Sequence, residues 1–322
     1  MMRRLNLKKA CKALYTFVLP LLLLPGCGLH RGNAQQSVSL PVARTGFKTT
    51  LTQQKEQQDP VETPPSQLFR VVSYPAPTGT WAAYLTPDPG DGKRHPAIIW
   101  ITGGDCNSIG DVWSAKSRNN DQTAKPFREA GMIMMFPALR GGNGNGGVKE
   151  GFFGEVDDVL AAEQYLASQP YVDPRRIYLG GHSTGATLAL LVAECSSSFC
   201  AIFSFGPMDD VTEYSPNTGH LPFDLSNSKE VLLRSPGYWL SSIQSPVWVF
   251  EGTTGQSNVD ALRTMAAAST NPKVHFIAIK DADHFTILAP TTELIARKLL
   301  EDTGQVSSLT FTEEELNRNF AR

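Results

Sequence analysis

The clearest chemical signal in this sequence is a serine placed for nucleophilic attack. Ser183 is the centre of the pentapeptide GHSTG (residues 181–185), which follows a short apolar run and precedes a run of small and aliphatic residues. A sharp turn from strand to helix would strain the serine backbone and lift its Oγ clear of the sheet. Glycine two residues to either side lets the strand and the helix pass without Cβ clashes. The motif therefore predicts that Ser183 is a nucleophile.

A nucleophilic serine needs a general base, and in a fold with this turn the base comes last, in the order serine, acid, histidine. The chain has six histidines. His182 adjoins the nucleophile, but alternate residues of a strand face opposite sides, so it should point elsewhere. His284 follows the last predicted strand and precedes the last predicted helix. We therefore predict that His284 is the base.

The oxyanion formed by such an attack should be stabilised by two backbone N–H groups. One belongs to Thr184, the residue after the nucleophile. The other should come from the loop after the first parallel strand, where two consecutive glycines precede an aspartate. Gly104 or Asp105 would donate it, and the sequence leaves both open.

Short apolar runs alternate with helical patterns and predict the elements that hold these residues. The runs are apolar throughout, as in strands that helices cover on both faces. Predicted strands lie at 97–102, 132–138, 177–181, 201–206, 247–252 and 274–279, and predicted helices at 154–169, 259–269 and 291–300. This alternation favours a mostly parallel sheet with right-handed crossovers. Residues 68–88 read as antiparallel strands with a turn near Thr78 and Gly79.

The segment from about residue 68 to residue 300 resembles an α/β-hydrolase. Specifically, it resembles the catalytic domain of the prolyl oligopeptidase family and the related dienelactone-hydrolase-like esterases. The resemblance is carried by ALRGGNGNGG (138–147), GEVDDVLAAEQYL (154–166), VDPRRIYLGGHSTGA (172–186), RSPGYWLSSIQSPVWVFEG (234–252) and DADHF (281–285). It implies an α/β-hydrolase domain over 61–322, with a mostly parallel central sheet, helices on both faces and a small cap insertion at about 210–240.

The resemblance also implies a triad acid, and here the sequence departs from the family. An aspartate is expected three residues after the glycine that ends the strand VWVFEG, but this position is Gly255. Glu251, at the end of that strand, is the preferred substitute. Asp209 and Asp210 follow the previous strand, a position that some α/β-hydrolases use. Asp260 is the remaining alternative, although it could instead cap a helix.

The N-terminal residues are predicted to be a targeting sequence rather than part of the fold. A basic stretch precedes an apolar run of twelve residues, which is too short to span a bilayer but suits a signal peptide over 1–26. The sequence LPGC (24–27) resembles the lipobox of bacterial lipoproteins, in which Cys27 would be lipidated. We expect Cys27 and a flexible tether over 27–60 to attach the protein to the outer membrane, facing the periplasm.

Charge and cysteine content indicate which ligands, cofactors and disulfides to expect. The formal net charge is −2, and five basic residues lie in the first twelve positions, so the rest of the chain is acidic and does not suggest a nucleic-acid partner. No HExxH or paired cysteine motif indicates a metal, and the chemistry predicted for Ser183 needs no cofactor. Cys195 and Cys200 are near enough in sequence to form a disulfide; the alternative is that they are buried thiols.

Together these features predict a serine hydrolase of the bacterial cell envelope. It would cleave an ester or peptide bond of a small substrate through an acyl-enzyme, and its only membrane contact would be the lipid anchor. Because the usual acid is missing, a different class remains open. In that alternative the chain is a non-catalytic envelope lipoprotein that keeps the α/β-hydrolase fold for binding or scaffolding.

Overall fold

The computed structural model of this chain describes residues 38–214, 221–302 and 309–320. The predicted signal peptide, Cys27 and the start of the predicted tether lie outside these residues. Eight strands form one sheet. They are β1 (Arg70–Ala76), β2 (Gly79–Leu85), β3 (His95–Ile101), β4 (Ile133–Pro137), β5 (Val172–His182), β6 (Ala201–Phe205), β7 (Val247–Gly252) and β8 (Val274–Ile279).

The described helices lie mostly between the strands. They are α1 (Leu40–Arg44), α2 (Lys125–Glu129), α3 (Glu155–Ala167), α4 (Thr184–Cys195), α5 (Ser228–Leu232), α6 (Val259–Ala268), α7 (Leu288–Glu301) and α8 (Glu313–Phe320). Short 3-10 helices occur at Arg118–Asn120, Val211–Tyr214, Pro236–Tyr238 and Leu240–Ser242. Among these described helices, none combines the length and the apolar character that a membrane span requires.

The strand order is β1-β2-β4-β3-β5-β6-β7-β8. β2 is antiparallel to both of its neighbours, and the other neighbouring pairs from β4 to β8 are parallel. The prediction of an antiparallel start followed by a parallel sheet is therefore confirmed.

Two hydrophobic clusters cover the two faces of this sheet. In β3, Ile99 and Ile101 pack in the cluster that includes residues of α3, α4 and α6, whereas Ile98 and Trp100 pack in the cluster that includes residues of α2, α7 and α8. Because both faces are covered, the central strands β4, β6 and β7 are buried along their whole length. β8 lies at the sheet edge, where His275 is exposed and Phe276 and Ala278 are half-buried, so the predicted cover on both faces is incomplete for this strand.

The parallel register aligns the ends of the central strands. Ile101 of β3 lies opposite Gly181 of β5, and the next residue of β5 lies opposite Phe205 of β6. Phe205 in turn lies opposite Phe250 of β7. The loops that leave β3, β5, β6 and β7 therefore start side by side, at the carboxyl edge where α/β sheets bind their ligands.

The predicted flexible tether over 27–60 is wrong for residues 38–60, which pack against the domain. Leu40 is fully buried, and its amide donates to the Ser242 Oγ at 3.2 Å. The Gln57 amide donates to the Gly141 carbonyl at 2.7 Å. The contacts of this segment are with loops far away in sequence, so its polar composition and lack of periodicity gave no local sign of order.

A buried ion pair connects the same segment to the predicted cap. The side chains of Arg234 and Glu230 are at most 1% exposed and pair with each other. The Thr49 hydroxyl donates to the Glu230 carboxylate at 2.9 Å and accepts from the Arg234 guanidinium at 2.6 Å. Burial of a charged pair is tolerable when further hydrogen bonds satisfy both groups, and Thr49 supplies such bonds here.

Of the two alternatives left open for Cys195 and Cys200, the structure has free thiols and no disulfide between them. Cys195 ends α4 and packs against the cluster on one face of the sheet, whereas Cys200 packs against the cluster on the other face. The Cys200 thiol instead donates to the Asp302 carboxylate at 3.7 Å. Nearness in sequence was misleading because the chain crosses the edge of the sheet between the two cysteines.

Candidate active site

Ser183 occupies a strained turn between β5 and α4. Its backbone has φ 55° and ψ −117°, a conformation that L-residues rarely adopt and that is typical of functional sites. A Cβ at Gly181 would lie 2.4 Å from the Gly185 carbonyl oxygen, and a Cβ at Gly185 would lie 2.3 Å from the Ile101 carbonyl oxygen. The pentapeptide glycines are therefore required by close backbone approach, as the sequence predicted.

His284 lies in the loop between β8 and α7, and it contacts the carboxylate of Glu251. His284 Nδ1 and Glu251 Oε2 are 2.9 Å apart, and the side chains are 5% and 0% exposed. Because an ionised carboxylate can only accept, Nδ1 carries the proton and Nε2 keeps its lone pair. His284 thus has the tautomer that a general base needs.

The Glu251 carboxylate is held by backbone donors as well. Oε1 accepts from the Gly252 amide at 2.7 Å, and Oε2 accepts from the Asn258 amide at 3.2 Å. Both oxygens therefore have partners inside the protein, and these bonds fix the orientation of the carboxylate. An ionised, oriented carboxylate behind the imidazole is what a triad acid requires.

The other three candidate acids have different contacts. Asp210 accepts from the Tyr238 hydroxyl at 3.2 Å and from the Thr212 hydroxyl at 2.7 Å, within the predicted cap. The backbone carbonyl of Asp209 accepts from Gly237. The Asp260 side chain is 94% exposed and pairs with Arg263 on α6. Of the four carboxylates, the structure brings Glu251 to His284.

Gly206, directly after β6, lies against the acid–base pair, and sequence reasoning missed it. A Cβ there would be 2.5 Å from both Glu251 Oε2 and His284 Nδ1. Its φ is +68°, in the left-handed region that favours glycine. The one sequence signal was a glycine at the end of a buried strand, which also fits an ordinary turn.

Replacing Gly206 with alanine should therefore displace the pair. We expect kcat to fall about 10- to 100-fold, because shifts of about 1 Å in a catalytic group have effects of this size. We also expect the free energy of unfolding to fall by about 1–2 kcal/mol, from the unfavourable backbone conformation. The measurements are kcat per folded protein and chemical denaturation.

Gly92→Ala is the matched control for this change. Gly92 has φ +71°, but a Cβ there would meet no atom within 4 Å. The control should lose similar stability and keep its kcat. Unchanged kcat in Gly206→Ala would show that the pair tolerates displacement.

His182 supports the loop that carries the base. Its Nε2 donates to the His284 carbonyl oxygen at 2.9 Å, and the two imidazole rings are 4.5 Å apart. Burial, and secondarily the neighbouring His284, lower the pKa of His182 to about 3. His182 therefore stays neutral and does not compete with His284 as the base, consistent with the sequence prediction.

The predicted oxyanion donors lie beside the nucleophile. The Thr184 hydroxyl donates to the Gly104 carbonyl at 2.9 Å. In a trans peptide the carbonyl and the following N–H point in opposite directions, so the Asp105 amide points away from Thr184. A Cβ on Gly103 would be 3.1 Å from that of Ser183, which places this loop against the nucleophile. The geometry therefore favours the Gly104 amide over that of Asp105.

A cavity of about 190 Å³ opens beside Thr184 and Gly104, which are predicted oxyanion donors. It is lined by Lys55, Gly104, Asp105, Cys106, Asn107, Lys149, Gly151, Phe152 and Thr184. The predicted cap at 210–240 contributes none of these residues in its described part. The packed N-terminal segment contributes Lys55, which the sequence had assigned to a tether.

Comparisons with known proteins agree with this fold. Residues 118–231 match the model of the prolyl oligopeptidase family. An esterase from Pyrobaculum calidifontis is 16% identical, with a TM-score of 0.55 over 74% of this chain and 86% of its own. The acylaminoacyl peptidase of Pyrococcus horikoshii is 15% identical, with a TM-score of 0.60 over 77% of this chain and 43% of its own. Dipeptidyl peptidase 4 of Porphyromonas gingivalis is 17% identical, with a TM-score of 0.57 over 72% of this chain and 35% of its own.

This chain thus spans less than half the length of the two peptidases and most of the length of the esterase. At these identities the solved structures establish the fold, and the family match adds support for a hydrolase of the serine type. The matched segment contains Ser183 but ends before Glu251 and His284, whose assignment rests on their geometry. The chain therefore has the α/β-hydrolase fold, and residues 118–231 within it match the prolyl oligopeptidase family.

Proposed function

We propose that this chain is a serine hydrolase that cleaves an ester or peptide bond through an acyl-enzyme on Ser183. The observation that carries the proposal is the hydrogen bond between His284 Nδ1 and Glu251, which replaces the missing aspartate. It lies at the same sheet edge as the strained nucleophile. A fold retained only for binding has no need of a buried carboxylate that orients this imidazole.

The reaction follows from the tautomer of His284. Ser183 Oγ attacks the substrate carbonyl and gives its proton to His284 Nε2, and Glu251 stabilises the resulting imidazolium. The amides of Thr184 and Gly104 donate to the oxyanion. Collapse of the tetrahedral intermediate transfers the proton to the leaving group. Water then repeats the sequence and releases the acyl group.

The choice between ester and peptide has support on both sides. The esterase neighbour is similar in length to this chain, which favours an ester substrate. The family match favours a peptide, although each matched peptidase is more than twice as long as its segment that aligns with this chain. We propose a small substrate in either case, because the cavity beside Ser183 is about 190 Å³.

Labelling with a fluorophosphonate tests the proposal directly, because this probe reacts with activated serines. The wild-type protein should be labelled at Ser183, and Ser183→Ala should not be labelled. A folded wild-type protein that resists the probe would favour the non-catalytic alternative. A panel of 4-nitrophenyl esters and aminoacyl 4-nitroanilides would then separate esterase from peptidase activity.

We further propose that Cys27 is lipidated and that the protein is attached to the bacterial outer membrane, facing the periplasm. The support is the basic and apolar pattern of residues 1–26 and the LPGC sequence. Cys27→Ser should therefore move the protein from the membrane fraction to the soluble fraction, because the lipid is the only anchor in this proposal. Fractionation followed by immunoblotting would measure this.

Cys11→Ser is the matched control for this prediction, since Cys11 lies within the predicted signal peptide. It should leave membrane attachment unchanged. Globomycin, which blocks lipoprotein signal cleavage, should cause an unprocessed form of the wild-type protein to accumulate. Unaltered attachment of Cys27→Ser would refute the anchor.

A further inference from the structure

We infer that the cavity beside Ser183 binds an acyl group that ends in a carboxylate, and that Lys55 pairs with this carboxylate. The inference rests on the proposed serine hydrolase function and names its substrate class. It depends on three features: the side of the nucleophile on which the cavity lies, the charges that line it, and the way in which the N-terminal segment is held.

The position of the cavity assigns it to the acyl side of the substrate. The leaving group must lie near His284, because it receives its proton from Nε2. The cavity contains Thr184 and Gly104, which flank the oxyanion position, and its lining includes neither His284 nor Gly206 beside it. A substrate with its oxygen in the oxyanion site and its leaving group at His284 therefore extends its acyl chain into the cavity.

The charges in the cavity leave one cation without a partner. Lys149 and Asp105 pair at 2.7 Å, and the Ser108 hydroxyl also donates to Asp105 at 2.7 Å. This pair is neutral as a unit. Lys55 makes no ion pair with any residue of 38–214, 221–302 or 309–320. A single uncompensated ammonium suits a singly charged carboxylate better than a doubly charged phosphate.

Lys55 is held in place by its backbone. The Lys149 amide donates to the Lys55 carbonyl at 2.9 Å, and the Gly144 amide donates to the Gln57 carbonyl at 2.7 Å. A Cβ on Gly141 would lie 3.0 Å from the Lys55 carbonyl oxygen, so the two segments are in close contact. The four-carbon stem of the half-buried Lys55 then lets its ammonium reach a group inside the cavity.

Two side chains of the lining suit an aliphatic chain. Phe152 is 3% exposed and Cys106 is 7% exposed, so each presents a small apolar area to the cavity. Burial raises the pKa of the Cys106 thiol well above its ordinary value, so it stays neutral beside the chain. The expected acyl group therefore has a few methylenes between its carbonyl carbon and its carboxylate.

The test compares two esters that differ in the charge of the acyl end. The probes are the 4-nitrophenyl hemiester of adipic acid and 4-nitrophenyl heptanoate, with spontaneous hydrolysis subtracted. The wild-type protein should prefer the hemiadipate in kcat/KM. Lys55→Met should lower the hemiadipate-to-heptanoate ratio about tenfold, as expected for loss of a charge-assisted bond. Lys55→Glu should lower the ratio further, by repulsion.

Lys48→Met is the matched control. Lys48 lies on the same segment, is exposed and does not line the cavity, so the ratio and the rates should stay unchanged. A ratio that is the same in wild type, Lys55→Met and Lys55→Glu would overturn the inference. Fluorophosphonate labelling of the same samples separates this failure from failure of the proposed function, because a labelled enzyme without the preference keeps the function and loses only the substrate class.

Discussion

Ser183→Ala is expected to lower kcat by a factor on the order of 10⁴ or more, as for the nucleophile of characterised serine hydrolases. The oxyanion donors and the cavity remain in this variant, but no atom can form the acyl-enzyme. The change should leave stability nearly unaffected, within about 0.5 kcal/mol, because Ser183 is only half-buried and alanine carries the same backbone strain. Steady-state kinetics with the preferred ester and chemical denaturation measure the two quantities.

Ser197→Ala controls for this experiment. Ser197 is an exposed serine in the loop after α4 and has no place in the proposed mechanism. It should retain wild-type turnover and fluorophosphonate labelling. Full turnover in Ser183→Ala would instead remove the nucleophile from the proposal, together with the roles assigned to His284 and Glu251.

The sheet was predictable because its signal is local. β3 and β7 are apolar at nearly every position, and this pattern requires cover on both faces wherever the strands lie in the sheet. The turn at Ser183 was predictable for a related reason. Its two glycines are required by close backbone contacts with residues a few positions away and with the adjacent strand. The pentapeptide sequence alone therefore indicates the turn.

The N-terminal segment was not predictable in the same way. Its order comes from contacts such as Gln57 with Gly141, across more than 80 residues, and from the buried pair of Arg234 and Glu230. Neither contact produces a periodic hydrophobic pattern in the sequence of the segment. Flexible tethers and segments that lie in a groove of the domain can both be polar and without periodicity. Only the surface that a segment contacts distinguishes the two.

The residues of the candidate site also differ in whether local sequence or long-range contacts determine their roles. Ser183 and His284 follow from motif and chain order, whereas the choice among four carboxylates depends on how the loop after β8 folds back onto the end of β7. Gly206 was missed because its restriction comes from Glu251 and His284, both more than 40 residues later in the chain. Cys195 and Cys200 show the reverse case, in which residues close in sequence pack against opposite faces of the sheet.

Glu251→Gln is the second change with a large expected effect, and it should lower kcat at least about 100-fold. In the wild type, Oε1 accepts from Gly252, and Oε2 accepts from Asn258 and from His284 Nδ1. If the new carboxamide turns its oxygen to Gly252, its NH₂ group faces His284 and favours the tautomer that is protonated on Nε2. That tautomer cannot accept the proton of Ser183.

The same substitution should also lower the free energy of unfolding by about 1–3 kcal/mol, because in this orientation the Asn258 amide, just before α6, loses its acceptor. Kinetics must therefore be normalised to folded protein, and active-site titration with the fluorophosphonate supplies the number of reactive sites. A slower labelling rate in Glu251→Gln would locate the loss in the attack by Ser183 rather than in substrate binding.

Three asparagine variants compare Glu251 with the other carboxylates. Asp260→Asn should stay within about threefold of wild type, because a side chain that is 94% exposed has almost no effect on the site. Asp209→Asn and Asp210→Asn are the competing tests, since both residues follow β6. If one of them matches the loss in Ser183→Ala while Glu251→Gln stays active, the acid follows β6 and the 2.9 Å contact with His284 is not catalytic. If only Glu251→Gln matches it, the glutamate at the end of β7 performs the task that the family gives to the aspartate missing at position 255.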